Sequence, residues 1–365
     1  MHVFAKVLRP LVLALLVGAA ALGARPATAI EIRTMFVPFG GPPELGRSVA
    51  TILALQFWQT LRKQPPGQAT PADFGDGSVY WIGRPVPIET HQAASTFAQA
   101  IDVTAQHVLW GQVRAFDSGA LVTTYFTLPD YRDFRTVRNE AWTLALRQGD
   151  RVATLVVDVP QRVYAFEPIV LPADFVAKYN SPGAIQMMSQ KVGGQPLGPL
   201  GINFVRIESD GEYAKVYSNK KTGWVYLPQI GRHKPELIDF AAGIMRVYRT
   251  DWQGAIDLFA NVLKNESAPT NIRIDGLLYV IRAKSELGQT ADDEVKRALA
   301  LAPASRRVTQ YAAMYYLARC YRAPVKAATC RPGDREFLLG FAERYNALFG
   351  QDDPWLAQLR DLVRK

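Results

Sequence analysis

The chain is poor in the residue types that most often carry chemistry. Apart from His2 it contains three histidines, His91, His107 and His233, which stand in unrelated contexts without the spacing of metal ligands. It has no nucleophile elbow, phosphate-binding loop, dinucleotide-binding fingerprint or zinc-protease motif. These absences argue against an enzyme, a metal site and a bound cofactor, and we expect none of the three.

Long apolar runs are also scarce, and the one that occurs lies near the N-terminus. Basic residues precede the run 11–22, and small residues follow it up to Ala29. A basic segment, a short apolar core and small residues in this order are typical of a secretory signal peptide, whereas a membrane-spanning helix needs roughly 20 apolar residues. We predict that residues 1–29 are removed after Ala29. The mature chain is then periplasmic, without a membrane span.

The chain has only two cysteines, Cys320 and Cys330. An exported chain meets an oxidising compartment, which favours a disulfide between them. Closing so short a loop is worth about 2–3 kcal/mol in the chain-entropy model. We therefore predict a disulfide near the C-terminus.

The net charge narrows the choice of partners. Removing the signal peptide takes away three of the 42 basic residues, so the mature chain carries a net charge of +6. Most of this excess lies in residues 231–365, which contain 21 basic and 16 acidic side chains. An exported protein has little access to nucleic acid, and we expect no such partner. The basic surface fits an acidic peptide, a cell-wall polymer or a lipid headgroup, or is simply solvated.

Residues 30–180 have a mixed α and β pattern. The apolar periodicity predicts helices at 44–63 and 90–101, and turn residues separate the apolar runs between them. Asp117-Ser118-Gly119 predicts a tight hairpin turn. The predicted strands are 33–39, 78–82, 107–116, 120–128, 140–146 and 153–159.

Two motifs of this segment carry a resemblance. Val37-Pro38-Phe39 ends the first strand, and Val108-Leu109-Trp110-Gly111-Gln112-Val113 begins the hairpin. In this order of elements the segment resembles the N-terminal domain of TolB and the related domain of FlgO-type proteins. The loop after Val37-Pro38-Phe39 is rich in Gly and Pro here, where that family has an acidic loop. The resemblance implies a non-catalytic periplasmic module used in protein contacts.

Residues 181–231 are typical of a small all-β unit. Frequent turn residues separate short apolar runs, which predicts a small barrel with strands 184–190, 201–207, 213–217 and 223–227. The ending Lys221-Thr222-Gly223-Trp224-Val225-Tyr226-Leu227 resembles the close of a bacterial Src-homology-3-like domain. Such domains bind peptidoglycan or peptides, or only connect other modules. The aromatic cluster Tyr213, Trp224 and Tyr226 is the candidate ligand surface, and packing of Trp224 in the core is the alternative.

Residues 235–365 are predicted to be helical. The predicted helices are 235–248, 251–263, 272–287, 291–301, 307–322, 334–349 and 355–363, the last one a cap. Gly243, Ala255 and Phe259 have the spacing of a tetratricopeptide repeat, and the helix pairs resemble such repeats. Stacked repeats bury the apolar face that a single helix pair cannot bury alone.

A repeat array implies an inner groove lined by the first helix of each pair. The register places five residues there: Tyr248, Arg282, Tyr315, Arg319 and Arg322. Arginine beside tyrosine suits an acidic or C-terminal peptide, because a guanidinium group binds a carboxylate through two hydrogen bonds. The alternative is that the arginines are solvated and the tyrosines pack between repeats.

The sequence thus predicts a multidomain α+β protein with an α/β module, a small Src-homology-3-like β-barrel and tetratricopeptide-like helical repeats. The function that fits best is a non-enzymatic periplasmic scaffold or adaptor that binds envelope proteins or acidic peptides. A peptidoglycan-binding protein acting through the barrel is the second hypothesis. An enzyme with unrecognised active residues is the third, and it would depend on His91 and His107 or on paired carboxylates such as Asp73 and Asp76.

Overall fold

The computed structural model describes residues 33–62, 79–81, 88–100, 105–129, 141–148, 151–230, 234–322 and 331–350, with residues 355, 357, 359 and 360. The predicted signal peptide, Asp73, Asp76, His233 and Cys330 lie outside these residues. The described chain is mixed α and β, with several sheets followed by a long helical part. The coarse fold class predicted from the sequence is therefore confirmed.

The described chain forms the following elements. The helices are α1 (Pro43–Arg62), α2 (His91–Ala100), α3 (Ala173–Tyr179), α4 (Pro235–Tyr248), α5 (Trp252–Lys264), α6 (Thr270–Glu286), α7 (Asp292–Leu301), α8 (Arg306–Tyr321) and α9 (Pro332–Phe349). The strands are β1 (Thr34–Phe36), β2 (Val79–Trp81), β3 (His107–Phe116), β4 (Gly119–Thr127), β5 (Trp142–Gln148), β6 (Arg151–Val157), β7 (Val163–Ala165), β8 (Ile169–Pro172), β9 (Gln186–Met188), β10 (Pro196–Pro199), β11 (Phe204–Asp210), β12 (Tyr213–Ser218) and β13 (Lys221–Tyr226).

A six-stranded sheet forms the N-terminal part of the fold. Strand β1 lies between β2 and β3 and runs parallel to both, while β4 is antiparallel to β3 and also pairs with β7 and β8. Side chains alternate along β1, so that Phe36 packs on the α1 side and Met35 and Val37 pack on the α2 side. Helices on both faces are what parallel strands require. The predicted order of strands and helices matches the chain as far as β6, whereas β7, β8 and α3 were not predicted.

Residues 181–230 form a five-stranded antiparallel sheet in the order β10-β9-β13-β12-β11. The predicted barrel does not close, because the edge strands β10 and β11 are not paired with each other in this segment. Strand β10 begins and ends with Pro196 and Pro199, which have no backbone N–H to donate to a second neighbour. The sheet is therefore open, with one face on the core and one face outward.

The helices pack against one another in chain order, α4 on α5, α5 on α6, α6 on α7 and α8 on α9. Gly243 in α4 faces the ring of Phe259 in α5, where a Cβ atom would come within 2.8 Å of the ring. A glycine is thus needed for the two helices to approach this closely. Residues Trp355, Ala357, Leu359 and Arg360 are helical, where the last helix was predicted.

The hydrophobic core does not stop at the predicted boundaries near residues 180 and 231. One buried cluster runs from α1 and the six-stranded sheet, through the inner side of the five-stranded sheet, to helices α4, α5 and α6. A second cluster joins the hairpin β5–β6 to helices α6 to α9. The hairpin belongs to the predicted N-terminal module by sequence, yet its apolar side chains pack on the helices.

Two further features concern covalent and membrane structure. Cys320 in the last turn of α8 is disulfide-bonded, and the chain contains only one other cysteine, Cys330. Within the described ranges, every helix is too short or too polar to span a bilayer.

Candidate functional site: an aromatic face on the five-stranded sheet

The outward side of the five-stranded sheet collects the aromatic residues singled out in the sequence. Side chains alternate along a strand, and in β12 and β13 the small or aliphatic ones, Ala214, Val216 and Val225, are buried in the core. Three cross-strand pairs of these strands point outward: Tyr213 with Tyr226, Lys215 with Trp224, and Tyr217 with Thr222.

Two of these outward rings contact each other, and the others lie on the same side of the sheet. The rings of Tyr213 and Tyr226 are 5.5 Å apart between centroids. Tyr217 is opposite Val205 of β11, and both side chains are about half exposed. We call Tyr213, Tyr217, Trp224, Tyr226 and Val205 the aromatic face. Trp224 is partly exposed on this face and does not belong to the buried core cluster.

Exposed apolar side chains are concentrated around this sheet. Of the fourteen large hydrophobic side chains that are exposed in the described part of the chain, six lie between residues 192 and 226: Val192, Ile202, Val205, Ile207, Tyr217 and Tyr226. Apolar residues that cluster on a surface, unlike scattered ones, mark interaction sites. This clustering makes the aromatic face the strongest candidate site.

Two lysines lie over Trp224. The ammonium nitrogen of Lys191 is 4.5 Å from the ring centroid and pairs with Asp210, and that of Lys215 is 5.4 Å from the centroid and 3.5 Å from Glu208 Oε2. The alternation of β12 places Lys215 on the same side of the strand as Tyr213 and Tyr217, and this alternation is the signal in the sequence that could have identified it. Lys191 lies in a loop, where no periodicity could have indicated its position.

The residues predicted to line the repeat groove all contact other parts of the chain, and all except Arg322 are largely buried. Tyr248 is buried, with its ring 4.6 Å from that of His107, and burial raises the pKa of its hydroxyl. Arg282 is also buried. Its Nη2 donates to Ala141 O at 3.1 Å, and its guanidinium lies 5.6 Å from the ring of Trp252. Both side chains contact other parts of the same chain.

The same correction applies to Tyr315 and Arg319 in α8. The hydroxyl of Tyr315 accepts a hydrogen bond from Ala291 N at 2.9 Å, and its ring is buried. Arg319 binds two carboxylates, Asp292 at 2.8 Å and Asp334 at 3.1 Å, and so connects α7, α8 and α9. We call Arg319, Asp292 and Asp334 the arginine clamp, and its charged groups already pair with one another.

Arg322, the fifth predicted groove residue, follows α8 and is also used internally. It pairs with Glu286 and donates to Ser285 O at 3.1 Å. Trp142 of the hairpin donates to the same Glu286, with 3.1 Å between Nε1 and Oε1. The hairpin therefore packs beside Arg282 and Arg322, on part of the surface where the sequence predicted a bound peptide.

The most strongly perturbed titratable groups lie inside the protein. Burial, followed by repulsion from Arg249, lowers the pKa of His107 to about 3. Burial raises the pKa of Asp275 to about 7, although Arg307 Nε lies 3.1 Å from its Oδ1. His91 is only partly buried, which lowers its pKa. Among the described residues, no three His, Cys, Asp or Glu side chains are grouped as metal ligands.

A small cavity of about 340 Å³ lies between the end of β6 and the start of α8. It is lined by residues 157–160, 305–307 and 310. None of the residues predicted to bind a ligand lines this cavity, so it does not add to the candidate site.

Compared with protein-family models, with curated proteins and with solved structures, the chain has no match.

Proposed function

We propose that this chain is a non-enzymatic scaffold or adaptor of the bacterial cell envelope, exported to the periplasm, that holds a partner protein on the aromatic face. The observation that carries the proposal is the outward cluster of Tyr213, Trp224 and Tyr226 with charged side chains around it. Tyrosine and tryptophan are enriched at protein interfaces and supply most of the binding energy there.

The placement of the titratable groups supports a binding role over catalysis. A general acid or base must reach its substrate, and perturbed groups in enzymes lie in clefts. His107 and Asp275 are instead fully buried, His107 between aromatic rings and Asp275 beneath Arg307. Their perturbed pKa values follow from packing.

We also propose that the three regions are related to the domains that they resemble. The order β1-α1-β2-α2-β3-β4 supports a TolB N-terminal-like region. The small antiparallel sheet that ends in Gly223-Trp224-Val225 supports a Src-homology-3-like region. The close contact of Gly243 with Phe259, next to the buried Ala255, supports a tetratricopeptide-like region, since this pattern gives close helix packing.

Binding of peptidoglycan on the same face is the second candidate. Outward-facing tryptophan and tyrosine rings favour it, because sugar rings can stack on them. The ammonium groups of Lys191 and Lys215 already lie over Trp224, however, and a neutral sugar that displaced them would leave the carboxylates of Asp210 and Glu208 without a cation. This geometry favours a protein partner.

Photo-crosslinking in the cell envelope tests the proposal. With p-benzoylphenylalanine in place of Tyr217, we expect a defined protein adduct that is lost when Trp224→Ala and Tyr226→Ala are combined. The same probe in place of Arg297, an exposed residue of α7, is the matched control and should give no such adduct. Absence of any adduct at residue 217, together with co-sedimentation of the purified chain with peptidoglycan, would overturn the protein adaptor in favour of the second candidate.

Export is tested separately. A mature protein recovered from the periplasm should have the mass of a chain that begins at Ile30. Recovery of the full-length chain from the cytoplasm would contradict the envelope assignment.

A further inference from the structure

The loop between β9 and β10 sends one side chain across the aromatic face. Its base is closed by two hydrogen bonds between Ser189 and Gln195, each 2.9 Å long. Gly193 has a φ of +69°, and a Cβ atom on Gly194 would lie 2.4 Å from Gln190 N. Both glycines are therefore needed for the tight tip that carries Lys191.

The groups that surround the ammonium of Lys191 are those that bind a cation. The nitrogen lies over the ring of Trp224, whose π-face is negative, and pairs with the carboxylate of Asp210. Glu208 supplies a second carboxylate, 3.5 Å from the ammonium nitrogen of Lys215, which lies 5.4 Å from the centroid of the same ring. Tyr213, opposite both Asp210 and Tyr226, extends the aromatic wall. We call Trp224, Asp210, Glu208 and Tyr213 the ammonium site.

We propose that the ammonium site binds a lysine side chain of the partner protein, and that Lys191 fills the site until the partner replaces it. The proposal rests on the proposed function, because it names the chemistry by which the aromatic face would recognise its partner. We infer a lysine because the ammonium group of Lys191 already lies over the ring of Trp224 and pairs with the carboxylate of Asp210.

Lys191 is a suitable exchangeable occupant. The side chains of Lys191 and Asp210 are 37% and 59% exposed, and ion pairs this exposed contribute little to stability. The neighbouring Val192 is 78% exposed, so little packing holds the loop tip on the sheet. A partner that offers a second ammonium group thus competes with a weakly held one. The apparent affinity for the partner's lysine is the intrinsic affinity multiplied by the fraction of molecules in which Lys191 has left the site.

The experiment uses the purified mature chain, which begins at Ile30, and N-acetyl-lysine amide as the probe. Binding is followed by NMR on the indole N–H of Trp224, which is assigned with a Trp224→Phe variant. N-acetyl-norleucine amide, which has a similar side chain without the charge, is the matched ligand control. We expect the lysine probe to shift the Trp224 signal in a saturable way and the norleucine probe to leave it unchanged.

Variants give the expected direction. Removing the internal occupant with Lys191→Ala should raise the affinity for the lysine probe about three- to tenfold. In the Lys191→Ala background, where no internal occupant shares the carboxylate, Asp210→Asn should lower the affinity by a similar factor. Lys220→Ala is the control, since Lys220 is exposed in the turn between β12 and β13, away from the ammonium site.

The outcomes separate this inference from the proposed function. Equal binding of the two probes, or an affinity that Lys191→Ala leaves unchanged or lowers, would overturn the ammonium site. A partner crosslinked at residue 217 would still stand in that case. Tighter binding of an amine-bearing peptidoglycan fragment than of a lysine-containing peptide would overturn a protein as the source of the ammonium group.

Discussion

Two surfaces of this protein combine aromatic rings with cationic side chains, and they differ in what covers them. On the helices, Arg282 and Tyr315 are buried beneath the hairpin or between helices. On the five-stranded sheet, Trp224 and Lys215 face outward. Both surfaces were predicted from the sequence as candidate ligand surfaces, the first through Arg282 and Tyr315 and the second through Trp224. The comparison teaches that a pattern of residue types indicates a binding surface only where the fold leaves it uncovered.

Helix periodicity and strand alternation differ in how well they predict exposure. Residues 274–283 of α6 are buried without a gap, polar Asp275 and Arg282 included, because neighbouring helices and the hairpin β5–β6 surround the helix. No local pattern in the sequence of α6 predicts that a hairpin more than 100 residues away packs on it. A strand has only two sides, and in a sheet with one uncovered face the side that does not pack on the core faces outward.

The largest effect that separates the two surfaces is expected for their tryptophans. Trp142 is fully buried, and its ring is 5.4 Å from that of Tyr311. Trp142→Ala should lower the free energy of unfolding by about 3–5 kcal/mol, the usual result of deleting a large buried side chain. Urea unfolding followed by circular dichroism measures this loss. Trp224→Ala is the counterpart on the sheet and should cost about 1 kcal/mol, because its ring is only partly buried. Equal losses would break the comparison.

The next effect concerns the arginines. Arg319→Ala leaves Asp292 and Asp334 without their shared partner, and the side chains of Arg319 and Asp334 are only 10% and 8% exposed. Breaking a buried ion pair by removing one side costs about 3 kcal/mol or more. Arg297→Ala is the matched control, because Arg297 is exposed on α7 and should change the free energy of unfolding by less than about 0.5 kcal/mol. If urea unfolding gives both variants the same free energy of unfolding, the ion pairs of Arg319 do not stabilise the helices.

Particular elements show how far the sequence could predict the fold. The hairpin β3–β4 was predicted from its turn, and the helix pairs from their periodicity. Strand β10 was missed because Pro-Leu-Gly-Pro argues against a strand, although an edge position tolerates proline. Strand β7 has three residues and gives almost no pattern. The position of the hairpin β5–β6 on the helices depends on contacts that are distant in sequence, and no local signal reports them.

The candidate site was predicted in part. Tyr213, Trp224 and Tyr226 were identified together, and the register of β12 and β13 places them on one side. The charges around them were missed because Asp210 and Lys191 meet only through the fold. A loop residue can be assigned to a site only when the elements that it connects are known.

Buried titratable groups give a third test of what the helices cover. His107, against Tyr248, has a pKa of about 3, below its ordinary 6.5, so between these values the unfolded chain binds a proton that the folded chain does not. Stability from this group is complete above pH 6.5 and is lost as the pH falls. Asp275 has a pKa of about 7, above its ordinary 3.8, so its contribution is complete below pH 3.8 and is lost as the pH rises. Each slope is at most about 1.4 kcal/mol per pH unit.

Variants separate the two slopes. Between about pH 4 and pH 6.5, His107→Gln should make the dependence of the free energy of unfolding on pH more negative than in the wild type. Asp275→Asn should make it more positive. His91→Gln is the histidine control and should change the slope much less, since His91 is only partly buried. Urea unfolding at several pH values measures the slopes, and identical slopes in all four proteins would contradict the burial of these groups.

The smallest effect compares a turn of each region. Lys220, between β12 and β13, has a φ of +62°, and Thr250, after α4, has a φ of +60°. The left-handed conformation costs a non-glycine residue about 1–2 kcal/mol, which a glycine avoids. Part of this stabilisation is lost, because glycine has more conformational freedom in the unfolded chain. Lys220→Gly should therefore stabilise the protein by about 0.5 kcal/mol. Thr250→Gly should do so by about 1 kcal/mol, because a β-branched residue suits this conformation least and glycine is the usual residue after a helix end. Thermal unfolding can resolve the two, and a loss of stability in both would show that Lys220 and Thr250 make contacts whose worth exceeds the backbone strain.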